Sequence, residues 1–137
     1  MATKSIGDGT FGTPVEFPAS SDVWDVELID YDKDGKSDVV ATARNIDAVL
    51  LLQNTSTPGA LSFVQQANIP VGDDPLVIAT GDFNKDTWPD FVVSNYGTNG
   101  TTGRSISLLL NDQSGGFIGS LLEQGTMRAF GLNSADL

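Results

Sequence analysis

Hydrophobic positions along this chain fall in short runs divided by polar, glycine-bearing turns. In "DVWDVELID" (22–30) apolar and acidic residues alternate, with Trp24, Val26 and Leu28 on one side and Asp25 and Glu27 on the other. This period of two predicts a half-buried strand with the apolar side against a core. "DVVATA" (38–43) and "AVLLLQN" (48–54) are apolar runs of strand length, and "LSFVQQANI" (61–69) alternates less regularly through Leu61, Phe63 and Ile69. No segment sustains a helical period with capping residues at its ends.

The runs repeat. "LIDYDKDGKSDVVATA" aligns with "ATGDFNKDTWPDFVVSN", and the leading aspartates stand at 30 and 82, 52 residues apart. "AVLLLQN" (48–54) matches "ISLLLND" (106–112), each followed by a glycine-containing turn and a phenylalanine, Phe63 or Phe117, with Phe11 of "GDGTFG" as a third copy. "AFGLNSADL" (129–137) resembles the approach to Asp30 and Asp82 and places Asp136 where another loop would begin. Each unit therefore yields four antiparallel strands, and repetition at this spacing predicts an all-β chain of β-propeller blades, about two and a half of them. The divisions are an outer strand of a preceding blade within 1–21, blade one at 22–73, blade two at 74–126, and an inner strand of a following blade at 127–137. A stacked β-sandwich is the alternative.

Composition narrows the chemistry. The 137 residues suffice for one modest domain, and a net charge of −11 opposes encounter with nucleic acid or anionic membrane surfaces while favouring cations. Histidine and cysteine are both absent, which removes imidazole and thiolate metal sites, histidine-based triads, thiol nucleophiles and disulfides. No apolar stretch approaches the ~18 residues of a membrane-spanning helix, and the first ten residues carry no apolar signal core, so a chain that does not insert in membranes is expected.

The densest acidic stretch is "DYDKDGKSD" (30–38). Asp30, Asp32, Asp34 and Asp38 occupy positions 1, 3, 5 and 9 of a loop, Gly35 occupies position 6, and position 7 offers the carbonyl of Lys36. Hard oxygen donors at this spacing, with a glycine at the sharp turn, suit a calcium ion that must gather about six or seven oxygens from one segment. Without a cation these carboxylates would repel and raise one another's pKa. An EF-hand would need a glutamate at position 12, here Ala41, and flanking helices, so the loop is of calcium type but of a different class. A solvated acidic turn is the plain alternative. The second copy keeps Asp82, Asn84, Asp86 and Asp90, with the Trp88 carbonyl at position 7, but Thr87 replaces the glycine and the charge is one unit lower. A β-branched residue suits positive φ poorly, so weaker binding is expected there.

These repeats resemble the FG-GAP or VCBS repeats of integrin-α-type propellers and related lectins, in which a D-x-D-x-D-G-x-x-D loop joins the first two strands of a blade. Residues 30–38 match that pattern fully, residues 82–90 match it except at Thr87, and "GDGTFG", "GALSF" and "GGFIG" resemble the family's glycine–phenylalanine turn. The resemblance implies a calcium-stabilised propeller used outside the cell for adhesion, glycan binding or protein recognition. It carries over the metal positions and no ligand residues. Two whole units cannot close a ring of ~4–8 blades, so a homo-oligomer or a place in a longer propeller is expected.

Remaining candidates are weaker. Trp24 and Trp88 could stack on sugars, although packing explains both as well. The polar insertion 95–104 could bind a ligand or be a plain hairpin. Arg44, Arg104 and Arg128 are not gathered by any spacing, and Asn54 and Asn99 head glycosylation sequons of a kind common by chance. Carboxylates committed to calcium are poor proton donors, so catalysis is not expected. A purely structural assembly unit, or a non-catalytic part of a carbohydrate-active enzyme, are the alternatives to recognition.

Overall fold

A computed structural model describes residues 13–17, 22–98 and 104–123. The strands are β1 (Val23–Ile29), β2 (Asp38–Ala43), β3 (Ala48–Asn54), β4 (Phe63–Gln65), β5 (Ile69–Pro70), β6 (Pro75–Gly81), β7 (Asp90–Asn95), β8 (Ser105–Asn111) and β9 (Phe117–Glu123). They form two antiparallel sheets, ordered β1-β2-β3-β4 with β5 also on β3, and β6-β7-β8-β9. A short 3-10 turn, Arg44–Ile46, follows β2.

Each repeat thus gives one meander four strands wide, as its pattern predicts. The first unit's outer strand is broken: Leu52 pairs with Gln65 of β4, whereas Val49 pairs with Ile69 of β5. Elsewhere the repeat holds residue by residue. Val26 faces Ala41 in the first sheet, and their equivalents Ile78 and Val93 face each other in the second. Both inner strands also carry a register irregularity at their start. The described residues form two stacked sheets, and they do not form a closed ring.

The core lies between the sheets. Ile29, Tyr31, Val40, Val49 and Leu51 meet Ile78, Phe91, Val93 and Leu109, all buried, with Phe117 set 4.5 Å from Phe91 between ring centroids. Fully burying side chains of this size contributes about 1.5–3 kcal/mol each. Arg44, at the end of β2, reaches the segment before the second sheet and pairs with both carboxylate oxygens of Asp74, one at 2.9 Å.

The alternation in β1 is present, but the opposite side faces the core. Trp24, Val26 and Leu28 are 59, 52 and 63% exposed. Alternation shows that two faces differ; it does not say which one meets a neighbouring sheet. Asp25 is tolerated at the inter-sheet face because its carboxylate accepts the Ile78 N–H at 3.1 Å. Its own N–H donates to Thr42 Oγ1 at 3.0 Å, and that hydroxyl donates to the Leu76 carbonyl at 3.0 Å. Of the stretch 1–21, where an outer strand is expected, residues 13–17 are described. Val15 takes part in an isolated bridge, and Phe17 packs edge-on to Phe63 at 5.1 Å. The strand expected in 127–136 lies outside the described residues.

Candidate metal centre

The 30–38 loop joins β1 to β2, so its carboxylates are held between two paired strands. Two left-handed residues, Lys33 at φ 58° and Gly35 at φ 84°, fold the segment back. The turn is then fixed by its own side chains: Gly35 N–H donates to Asp30 Oδ2 (3.1 Å), Asp34 N–H to Asp32 Oδ1 (3.2 Å) and Lys36 N–H to Asp34 Oδ1 (2.8 Å).

Asp38 anchors the site from below. It is fully buried at 0% exposure, and its two oxygens accept the N–H groups of Tyr31 (3.1 Å) and Asn54 (2.7 Å). Burial pushes its carboxyl above the ordinary range, against those two N–H donors and with Asp32 and Asp34 adding to the rise. Tyr31 is raised as well, by burial first and then by Asp32, Asp38 and Asp34.

Asp30, Asp32 and Asp38 each place an oxygen within 4.8 Å of the others. Asp30 Oδ1 is buried and accepts no hydrogen bond from the described residues, so a cationic or donor partner is what it lacks. Asp34 is not in this group. Its Oδ2 accepts Lys36 Nζ at 2.6 Å, and that ammonium holds its carboxyl below the usual range. The structure therefore brings together three of the four aspartates picked out by spacing. An all-oxygen set of this kind fits a hard cation such as calcium.

Behind the loop lie residues that spacing did not single out. Gln53 Nε2 donates to Asp32 Oδ2 at 2.7 Å and is itself held by Gln66 at 2.9 Å. Asn54 Nδ2 donates to the Ser37 carbonyl at 2.9 Å, so this sequon asparagine is committed to the loop. Asn111 is its counterpart in the second unit: its N–H donates to Asp90 Oδ1 at 2.8 Å and its amide to the Pro89 carbonyl at 3.3 Å. The signal was available, since both asparagines close the matched runs "LLLQN" and "LLLN".

The second loop repeats the frame with a different centre. Asp90 is buried and accepts Phe83 N–H at 2.9 Å, as Asp38 accepts Tyr31. Asp82 accepts Asp86 N–H and Thr87 N–H, at 3.1 and 2.9 Å. The Asp86 carboxylate accepts Trp88 N–H (2.8 Å), Asn84 Nδ2 (2.9 Å) and Gln113 Nε2 (3.1 Å), and these bonds keep its pKa low. Thr87 sits at φ 72°, the conformation Gly35 adopts, so the β-branched residue is placed where it fits worst. Among the described residues, three acidic side chains converge in the first loop and not in the second. Lys33 links the loops, with Nζ 3.0 Å from Thr87 Oγ1 and 4.5 Å from the centre of the Trp88 ring.

Trp24 is exposed and carries Arg44 over its ring at 4.9 Å. Arg104 lies over Tyr96 at 5.6 Å, at the edges of the insertion whose residues 99–103, with Asn99, are outside the described residues. Arg128 is outside them too.

Residues 30–93, just under half of the chain, match the family model of the FG-GAP-like repeat, to which this stretch is similar. No curated protein and no solved structure gave a match. No helix among the described residues is long and apolar enough to cross a membrane.

Proposed function

We propose that this chain is a calcium-stabilised, propeller-type module that acts in recognition or adhesion outside the cell, without a catalytic step of its own. One observation carries the reading: a buried Asp30 oxygen without a hydrogen-bond partner, at a point where Asp32 and Asp38 also converge. A calcium ion there would take oxygens from Asp30, Asp32 and Asp38, with Asp34 and the Lys36 carbonyl completing the set. In the second loop Asp82, Asn84, Asp86, the Trp88 carbonyl and Asp90 form the corresponding, weaker site. The ion would neutralise the cluster and pin β1 to β2. Millimolar calcium, as found outside cells, fills even a weak site of this type. A glycan or an extracellular protein is the partner that the repeat family suggests.

The test is thermal melting in calcium and in EGTA, followed by a glycan array on the calcium-loaded protein. A ligand selective for the folded state at about a hundred times its Kd stabilises by about 2.7 kcal/mol, on the order of 10 °C for a domain of this size. Equal melting in both buffers removes the metal reading, and an array without reproducible hits favours an assembly role over glycan recognition.

A further inference from the structure

The two acidic loops obtain positive charge from different places. In 30–38 position 7 is Lys36, whose Nζ lies 2.6 Å from Asp34 Oδ2, so this loop holds an ammonium of its own. In 82–90 the same position is Trp88, and Asp86, which stands where Asp34 does, is bonded by N–H groups of Trp88, Asn84 and Gln113. The ammonium beside it arrives from the other loop. Lys33, at φ 58° in the first turn, extends across to place Nζ 3.0 Å from Thr87 Oγ1 and 4.5 Å from the centre of the Trp88 ring. Thr87 gives its own N–H to Asp82 Oδ2 at 2.9 Å, so the residue that Lys33 touches is bonded in turn to the first carboxylate of the loop. The charge of Lys33 also reaches Asp86, where it adds to the bonds from Trp88, Asn84 and Gln113 in keeping that carboxyl low.

We propose that the Lys33 ammonium is the built-in counter-cation of the second loop, that it competes there with calcium, and that it makes 30–38 the loop that fills first. This rests on the reading of 82–90 as a calcium loop. An ion among Asp82, Asp86, Asp90 and the Trp88 carbonyl meets a like charge already in place, and the repulsion lowers its affinity. In near-bulk dielectric a unit charge at close range changes the affinity for a divalent ion by about three- to tenfold. Lys33 is held by one exposed hydroxyl and one ring face, contacts that are each weak, so calcium displaces the ammonium at a cost and is not shut out by it. Two features therefore weaken 82–90. The strain of Thr87 at φ 72° belongs to the loop itself, whereas the charge of Lys33 comes from 54 residues earlier and couples one loop to the other.

The experiment is a calcium titration of the 137-residue chain followed by NMR, with the amide resonances of Gly35 and Thr87 reporting on the two loops separately. Lys33→Met keeps the length of the side chain and removes its charge, Lys33→Arg keeps the charge, and neither relieves the left-handed backbone as glycine would. In Lys33→Met the calcium midpoint at Thr87 should fall about three- to tenfold and the midpoint at Gly35 by less, and the gain should shrink as salt is raised. Lys33→Arg should titrate as the wild type does. A Thr87 midpoint that stays unchanged in Lys33→Met, or moves no more than that of Gly35, overturns the inference while calcium binding at 30–38 stands. So does an equal gain in Lys33→Arg, or one that high salt leaves intact, since either traces the effect to packing on Trp88 and not to charge. If neither amide responds to calcium in any of the three proteins, the metal reading itself is removed, and the inference with it.

Discussion

The side-chain amide of Asn111, at the end of β8, donates to the main-chain carbonyl of Tyr31 at 2.8 Å across 80 residues of sequence. Tyr31 follows Asp30 directly and gives its N–H to Asp38, so this bond ties the second sheet to the frame of the first acidic loop. Asn111 is 4% exposed. Removing its amide leaves the Tyr31 and Pro89 carbonyls without that donor in a buried setting. Asn111→Ala is expected to cost about 1–3 kcal/mol of stability, measured by urea unfolding, and to weaken calcium binding at the first loop although it touches no proposed ligand.

Asp30→Asn separates the metal's effect from that of the fold. An asparagine can keep the bond from Gly35 N–H through its oxygen while its amide takes the place of the unpartnered Oδ1 and donates to a neighbouring carboxylate. One negative charge is also lost from a crowded site. The variant should melt in EGTA at or above the wild-type temperature and lose most of the shift that calcium produces. A variant that melts lower in EGTA and still responds fully to calcium would show Asp30 to be structural only.

Thr87→Gly should stabilise the second loop. Threonine at φ 72° stores backbone strain that a glycine releases. The bond lost, from Lys33 Nζ to Thr87 Oγ1, is exposed and worth little. A net gain of about 1 kcal/mol is expected, with tighter calcium binding at 82–90, both readable from melting curves at graded calcium. Gly35→Thr should move both quantities the other way at 30–38.

Acidity should sort the aspartates by environment. In calcium-free protein Asp38 titrates above the ordinary carboxylate value of 3.8, chiefly through burial. Its proton therefore favours the fold fully below 3.8, and this contribution is lost as pH rises through the raised value. Asp112 is the opposite case. N–H bonds from Gly116 and Ser114 keep its pKa low, so its contribution is present above 3.8 and lost as pH falls through the lowered value. Carboxyl-carbon NMR titration in EGTA should find the two on opposite sides of 3.8. Calcium must displace the Asp38 proton, so its apparent affinity should fall as pH drops through that residue's pKa.

Much of this was legible in the chain. The 52-residue repeat and the strand-length runs of β2, β3, β7 and β8 foretold two four-strand meanders, because turn residues and apolar runs act locally. The spacing of Asp30, Asp32 and Asp38 foretold their convergence, since a nine-residue loop between paired strands leaves few paths. What escaped was set by distant contact. Which face of β1 meets the second sheet depends on Asp25 finding the Ile78 N–H, 53 residues away. The turn of Asp34 towards Lys36 is a competition between an ammonium and the centre of the loop that spacing alone does not decide. Gln53 and Asn54 support the site from the neighbouring strand, which a search confined to the loop passes over.

Diffraction from crystals grown with calcium addresses the acidic loop most directly. The expected result is anomalous density beside Asp30 Oδ1, with oxygens of Asp30, Asp32 and Asp38 at about 2.3–2.6 Å. A water molecule there, or the Lys36 ammonium folded into the same space, would contradict a metal-built module.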